Sequence, residues 1–130
     1  MERQRFFWMT ACLWGGLSVA LGAFAAHGLR DRLEPGLLNA FEVGVRYQMY
    51  HALALLAASA GSAACLNSRF TSAACWAWNI GILLFSGSLY MMALTGVRWL
   101  GAITPIGGVS FMAGWALLFL APIKRRSESE

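Results

Sequence analysis

Four long stretches of this chain carry no Asp, Glu, Lys or Arg: Phe6 to Leu29, Tyr47 to Ser68, Phe70 to Val97, and Trp99 to Ile123. Short charged segments separate them. A helix needs only about 20 mostly apolar residues to cross a bilayer, and each stretch is long enough. The expected fold is an all-α membrane protein, a four-transmembrane-helix bundle. Its spans are expected near residues 6–28, 47–66, 72–96 and 101–122.

Composition agrees. Of the 130 residues 58% are hydrophobic and 12% charged, about half the charged share of a soluble domain. That leaves too little polar surface for a water-soluble globule. Little chain remains outside the spans, so a single membrane domain, residues 1–126, is expected, with Ser127 to Glu130 as a mobile polar tail. The formal net charge of +4 does not indicate a nucleic-acid partner. The basic residues sit at span ends, where they face lipid phosphates and set orientation. Cys12, Cys65 and Cys75 all fall in spans, form no C-x-x-C, and are expected to be small buried apolar residues.

The N-terminal region imitates a signal peptide, with Ala23-Phe24-Ala25 fitting a cleavage pattern. Its apolar run exceeds the usual 7–15-residue core of a signal, so a retained helix is expected. Each span offers small residues four apart: Ser18, Gly22 and Ala26; Ala57 and Gly61; Ala77 and Gly81; Ser110 and Gly114. Such faces let helix backbones approach closely in lipid. Packing inside the bundle is the simpler use for them, and a homodimer seam the sharper one. Thr104 is placed to N-cap the fourth span and Pro105 suits its first turn. Pro122 marks its stop. Trp8, Trp76, Trp78 and Trp99 fall near span ends, as an aromatic belt requires.

Four spans put both termini on one side, with Arg3, Arg5, Arg69, Lys124, Arg125 and Arg126. The other side holds Arg30, Arg32, Arg46 and Arg98. The positive-inside rule then favours cytoplasmic termini. Leu33, Leu37, Leu38, Phe41 and Val45 recur at helical spacing in the longest loop, interrupted by Pro35-Gly36. A short interfacial helix between spans 1 and 2 is expected there, with Glu42 and Arg46 paired at i, i+4.

The densest polar run enters the second span: Glu42, Arg46, Tyr47, Gln48, Tyr50 and His51. On a helix Glu42, Arg46 and Tyr50 share one side, Tyr47 and His51 share a neighbouring side, and Gln48 points elsewhere. Leaving such groups unpaired in hydrocarbon costs several kcal/mol each, so they should face protein or water. His27, Ser86, Ser88, Tyr90 and Thr104 are expected at the same depth. These eleven residues form a candidate polar cluster in the outer half of the bundle. Three uses are open: a satisfied network that fixes helix register, a pocket for a small ligand, lipid headgroup or proton, and a metal or catalytic site. Two histidines in different spans fall short of the three or four ligands of a zinc site, so no metal or other cofactor is expected. Asn79, deep in the third span, is expected to bond a neighbouring helix. The chain contains no phosphate-binding, dinucleotide, zinc-protease or nucleophile-elbow motif.

Gly22 to Leu29 (Gly-Ala-Phe-Ala-Ala-His-Gly-Leu), Val45 to Leu55 (Val-Arg-Tyr-Gln-Met-Tyr-His-Ala-Leu-Ala-Leu), Phe85 to Tyr90, Thr104 to Gly108, and Gly114-Trp115 resemble one family in the same order. It is the small membrane-protein family of unknown function 423, also described as uncharacterised protein family 0382. Bacterial inner-membrane proteins and the animal transmembrane protein 256 belong to it. The resemblance covers nearly the whole chain and implies a four-span integral protein. It brings no reaction, substrate, cofactor or catalytic residue. The expected role is non-enzymatic, a structural or accessory component of the inner membrane, of a larger membrane complex or of a homo-oligomer. The alternative is a binding or transport component that uses the polar cluster.

Overall fold

A computed structural model describes residues 2–61 and 66–122. Among these residues the chain is all helix and turn, with no strand. Helix α1 (Glu2–Phe24) ends in a π turn, Ala25–Leu29. Helix α2 is Pro35–Gly61. Helices α3 (Ser68–Gly81) and α4 (Gly87–Thr95) are joined by a second π turn, Ile82–Ser86. A 3-10 turn, Arg98–Ala102, leads into helix α5 (Thr104–Leu120).

Joined in this way, the elements make four helical rods of 28, 27, 28 and 23 residues. At about 1.5 Å per residue they are roughly 35–42 Å long. Three of them, Glu2–Leu29, Ser68–Thr95 and Arg98–Leu120, are long and apolar enough to cross a membrane. Helix α2 is as long, but Arg46, Gln48, His51 and two tyrosines dilute its apolar content.

The outer surface is apolar. Met9, Leu13, Val19, Leu83, Met112 and Phe119 are between 57% and 83% exposed. A water-soluble surface seldom carries so much contiguous apolar area, whereas lipid accepts it. Helix α1 packs chiefly on α2, and α3 chiefly on α5; α2 also lies against the second π turn and α4.

The α3–α5 seam is interlocked. Phe111 of α5 fills the space over Gly81, and Trp78 of α3 fills the space over Gly114. Ser110 Oγ donates to the Ala77 carbonyl at 2.6 Å. A Cβ on Gly107 would strike the backbone nitrogen of Phe85, so α5 and the second π turn meet backbone to backbone. In the α1–α2 seam a Cβ on Gly22 would lie 3.4 Å from Val45, and Ser18 is buried. Gly61 faces Leu66. Ala26 and Ala57 are exposed and belong to neither seam.

Two apolar cores form. One joins Phe7, Ala11, Leu55, Cys75, Trp78 and Phe111. The other joins Ala25, Leu29, Phe41 and Ala93. Along α1, α2 and the Ser68–Thr95 rod, the polar residues Ser18, Gln48 and Ser86 fall between the two cores.

Several expectations change. No separate helix precedes the expected second span: Pro35 is the first residue of one continuous helix to Gly61. Proline lacks an N–H that a first turn would leave unbonded anyway, so it starts a helix readily. Thr104 is the first residue of α5 rather than its cap, and no side chain caps that end. Its hydroxyl meets Ser88 instead. Trp78 is fully buried, with its indole N–H on the Phe111 carbonyl at 3.3 Å, so it is no belt residue; Trp8, Trp76 and Trp99 are exposed. Cys75 is buried but Cys12 is exposed. Asn67 caps α3, accepting from the Arg69 N–H at 3.0 Å. Cys65, Ile123, Lys124, Arg125, Arg126 and the tail Ser127 to Glu130 lie outside the described residues.

Candidate functional site

Gln48 stands midway along α2 and is 2% exposed. Both ends of its amide are bonded. Nε2 donates to the Trp14 carbonyl of α1 at 2.9 Å, and Oε1 accepts from the Tyr90 hydroxyl of α4 at 2.7 Å. Ser18 Oγ also donates to the Trp14 carbonyl, at 2.8 Å. One glutamine therefore ties three rods at a single level. Its depth follows from where the helix begins. A span read from Tyr47 puts Gln48 at an end, but α2 already runs for three turns before it.

Next to Gln48, Ser86 Oγ donates to the Gly44 carbonyl at 2.7 Å. The rods touch closely here, because a Cβ on Gly44 would stand 2.8 Å from the Tyr90 ring. In the π turn the Gly87 N–H bonds the Ile82 carbonyl, five residues back. Ser88 Oγ donates to the Phe85 carbonyl at 2.9 Å and meets Thr104 Oγ1 at 2.7 Å. That contact joins α4 to the start of α5.

His51 faces the other way, toward α5. A carbonyl only accepts, so the 2.7 Å contact with the Tyr47 carbonyl is a bond from Nδ1–H. Nε2 accepts from the Trp115 indole N–H at 3.1 Å. Both nitrogens are thus occupied, and the ring is the neutral Nδ1–H tautomer. The imidazole also lies flat on Phe111, with centroids 3.6 Å apart and planes 7° apart.

The other sequence-predicted residues are not drawn into this network. His27, Glu42, Arg46 and Tyr50 are exposed. Arg46 Nε reaches the backbone carbonyl of Glu42 at 3.5 Å, and the expected side-chain pairing of the two does not form. Among the described residues the ion pair present is Arg98–Glu34, at 3.2 Å on the surface. Tyr47 is 41% exposed, with its ring against Phe85 and Tyr50.

Asn79 does bond a neighbouring helix: its Oδ1 accepts from the Trp14 indole at 2.9 Å, and its Nδ2 donates to the Cys75 carbonyl at 3.0 Å. Trp14 and Trp115 were not expected in the network. A readable signal existed, since an indole N–H inside an apolar span needs an acceptor.

Among the described residues no buried side-chain nitrogen or oxygen lacks a hydrogen-bond partner. No three His, Cys, Asp or Glu residues there are grouped to hold a metal ion. The cluster's buried groups are therefore committed to other side chains and to backbone carbonyls.

Residues 21–108 match a family model described as a protein of unknown function, DUF423. A UPF0382 membrane protein of Staphylococcus haemolyticus is 42% identical over 93% of this chain and 98% of its own length. The UPF0382 membrane protein YwdK of Bacillus subtilis is 42% identical over 83% of this chain and 88% of its own length. The UPF0382 inner membrane protein YgdD of Escherichia coli is 39% identical, over 93% of this chain and 92% of its own length. No solved structure matches the chain. With apolar rods long enough to span a bilayer and these relatives along nearly its whole length, the chain is a membrane protein and belongs to the DUF423 family of unknown function.

Proposed function

We propose that this is a non-enzymatic, four-span protein of the bacterial inner membrane, with both termini in the cytoplasm, acting as a structural or accessory component of a membrane complex. Helix α2 is the fourth crossing. Its buried polar side chains, Gln48 and His51, are satisfied by protein, so hydrocarbon need not solvate them. Exposed Glu42 and Arg46 stand in the outer half of α2, where a long arginine side chain can reach the headgroups. The first turn of α2, from Pro35, then stands in the headgroup region, which supplies the interfacial segment without a separate helix.

The observation behind the structural role is the full pairing of the cluster's buried members. A pocket awaiting a ligand keeps polar groups aimed at the ligand's place. Here the amide, hydroxyl and imidazole groups bond one another or the backbone, and a fully paired buried network rigidifies and specifies one packing.

Native mass spectrometry of the tagged protein released from its own membrane tests the role. A stoichiometric foreign subunit that stays bound to Gln48→Leu would support it. A non-lipid small molecule carried by the wild type and lost from Gln48→Leu or His51→Leu would contradict it, and would make the cluster a binding or transport site.

A further inference from the structure

We propose that the bundle binds an anionic phospholipid at the end built from the first turns of α1, the last turn of α2 and the first turns of α3. The phosphate sits in a polar cavity there, and an acyl chain lies along α1. This site is separate from the Gln48 network and does not depend on its role.

The cavity holds about 240 Å³ and is lined by Arg3, Phe7, Ser59, Ser68, Thr71 and Ser72 among others. Sites that enclose a drug-sized ligand run to roughly 300–1,000 Å³, so the space suits a headgroup. Its described lining includes a guanidinium and several hydroxyls but no carboxylate. The hydroxyl hydrogens of Ser59 and Thr71 are directed to the carbonyls of Leu56 and Asn67, at 2.9 and 3.0 Å. Arg3, Ser68 and Ser72 make no side-chain hydrogen bond or ion pair within the described residues. They are the donors an anion would meet, and an arginine fork matches phosphate oxygens.

The shape beyond the cavity selects a lipid over a free anion. Gln4 and Ser59 line both the cavity and an adjoining groove that includes Arg5, Trp8 and Met9. Trp8 and Met9 lead on into an apolar groove past Cys12 and Leu13, of about 570 Å³. Along the first three turns of α1 the surface thus passes from cationic and hydroxylic to apolar without a break. A ligand that fills it is polar at one end and hydrocarbon at the other. Arg3, Arg5 and Arg69 also lie at this end, and each basic residue near anionic headgroups adds attraction worth a several-fold change in affinity.

The test uses the full chain in detergent after its lipids are removed. Phosphatidylglycerol, phosphatidylcholine and inorganic phosphate are added separately, and lipid retention in native mass spectra and melting temperature are read. Phosphatidylglycerol is expected to be retained in preference to phosphatidylcholine and to raise the melting temperature, and inorganic phosphate is expected not to displace it. Arg3→Gln should weaken retention by about fivefold, and Ser72→Leu, which fills the cavity, should abolish it. Arg3 is exposed, so Arg3→Gln should melt normally without lipid and carries the test even if Ser72→Leu unfolds. Equal retention of both lipids, or unchanged phosphatidylglycerol binding by Arg3→Gln, would overturn the proposal. Displacement by inorganic phosphate would also overturn it and leave a free-anion site.

Discussion

At the residue scale, Gln48 shows how a polar side chain becomes acceptable inside an apolar bundle. Its carbonyl and amide ends reach Tyr90 and Trp14 on two different rods. Gln48→Leu removes both bonds and leaves the Tyr90 hydroxyl without its acceptor, which should destabilise the fold by about 1–3 kcal/mol. Tyr90→Phe should cost less, and the double mutant should show a coupling of about 0.6 kcal/mol, the average for hydrogen bonds between membrane helices, and no more than about 1.7 kcal/mol. Unfolding of the purified protein by denaturing detergent measures all three; a coupling of zero would mean the bond holds nothing. His51 is similarly committed. Its Nε2 takes the Trp115 N–H and its face lies on Phe111, so His51→Ala should cost about 2–4 kcal/mol through lost packing and an orphaned indole. Partial site legibility follows from the same physics. Helical spacing separated Gln48 from Glu42, Arg46 and Tyr50, and the structure buries the first and exposes the others. That the indoles of Trp14 and Trp115 need acceptors was readable, but which residues they meet was not, because those contacts come from packing distant in sequence.

At the element scale, glycines set how closely the rods approach. Gly107 lies against the backbone of Phe85, and Gly81 and Gly114 receive Phe111 and Trp78. Gly107→Ala should therefore cost about 1–3 kcal/mol or more by overpacking. Gly87→Ala, with nothing within 4 Å of the new methyl group, should be neutral or slightly stabilising by helix propensity. Equal effects of the two would show that the seam yields. Thr104→Val should lose the Ser88 bond at about 1 kcal/mol, with no loss of a helix cap. Small residues four apart pointed to Gly81 and Gly114, which receive Phe111 and Trp78, and to Ser110, whose hydroxyl bonds the Ala77 carbonyl. The same spacing did not distinguish Ala26 and Ala57, which face outward, because small residues suit a seam and a lipid face alike. The π turns were not legible at all. Nothing in Ala25–Leu29 or Ile82–Ser86 marks a widened turn, which is set by how the rods meet.

At the scale of the whole molecule, uncharged length located three membrane-competent rods, while the second is as long but more polar. Its buried Gln48 and His51 turn inward to Trp14, Tyr90 and Trp115, and its apolar residue Leu53, 58% exposed, faces out with the other exposed apolar side chains. The central claim is that α2 crosses the bilayer, which gives four spans and places both termini together. Labelling of single cysteines with a membrane-impermeant maleimide tests it, in a chain whose Cys12, Cys65 and Cys75 are replaced by alanine. Asp31→Cys should label in intact spheroplasts, and Ser68→Cys and Ser127→Cys only after the membrane is permeabilised. Labelling of both Asp31→Cys and Ser68→Cys from outside would put the two ends of α2 on one side and contradict the four-span bundle.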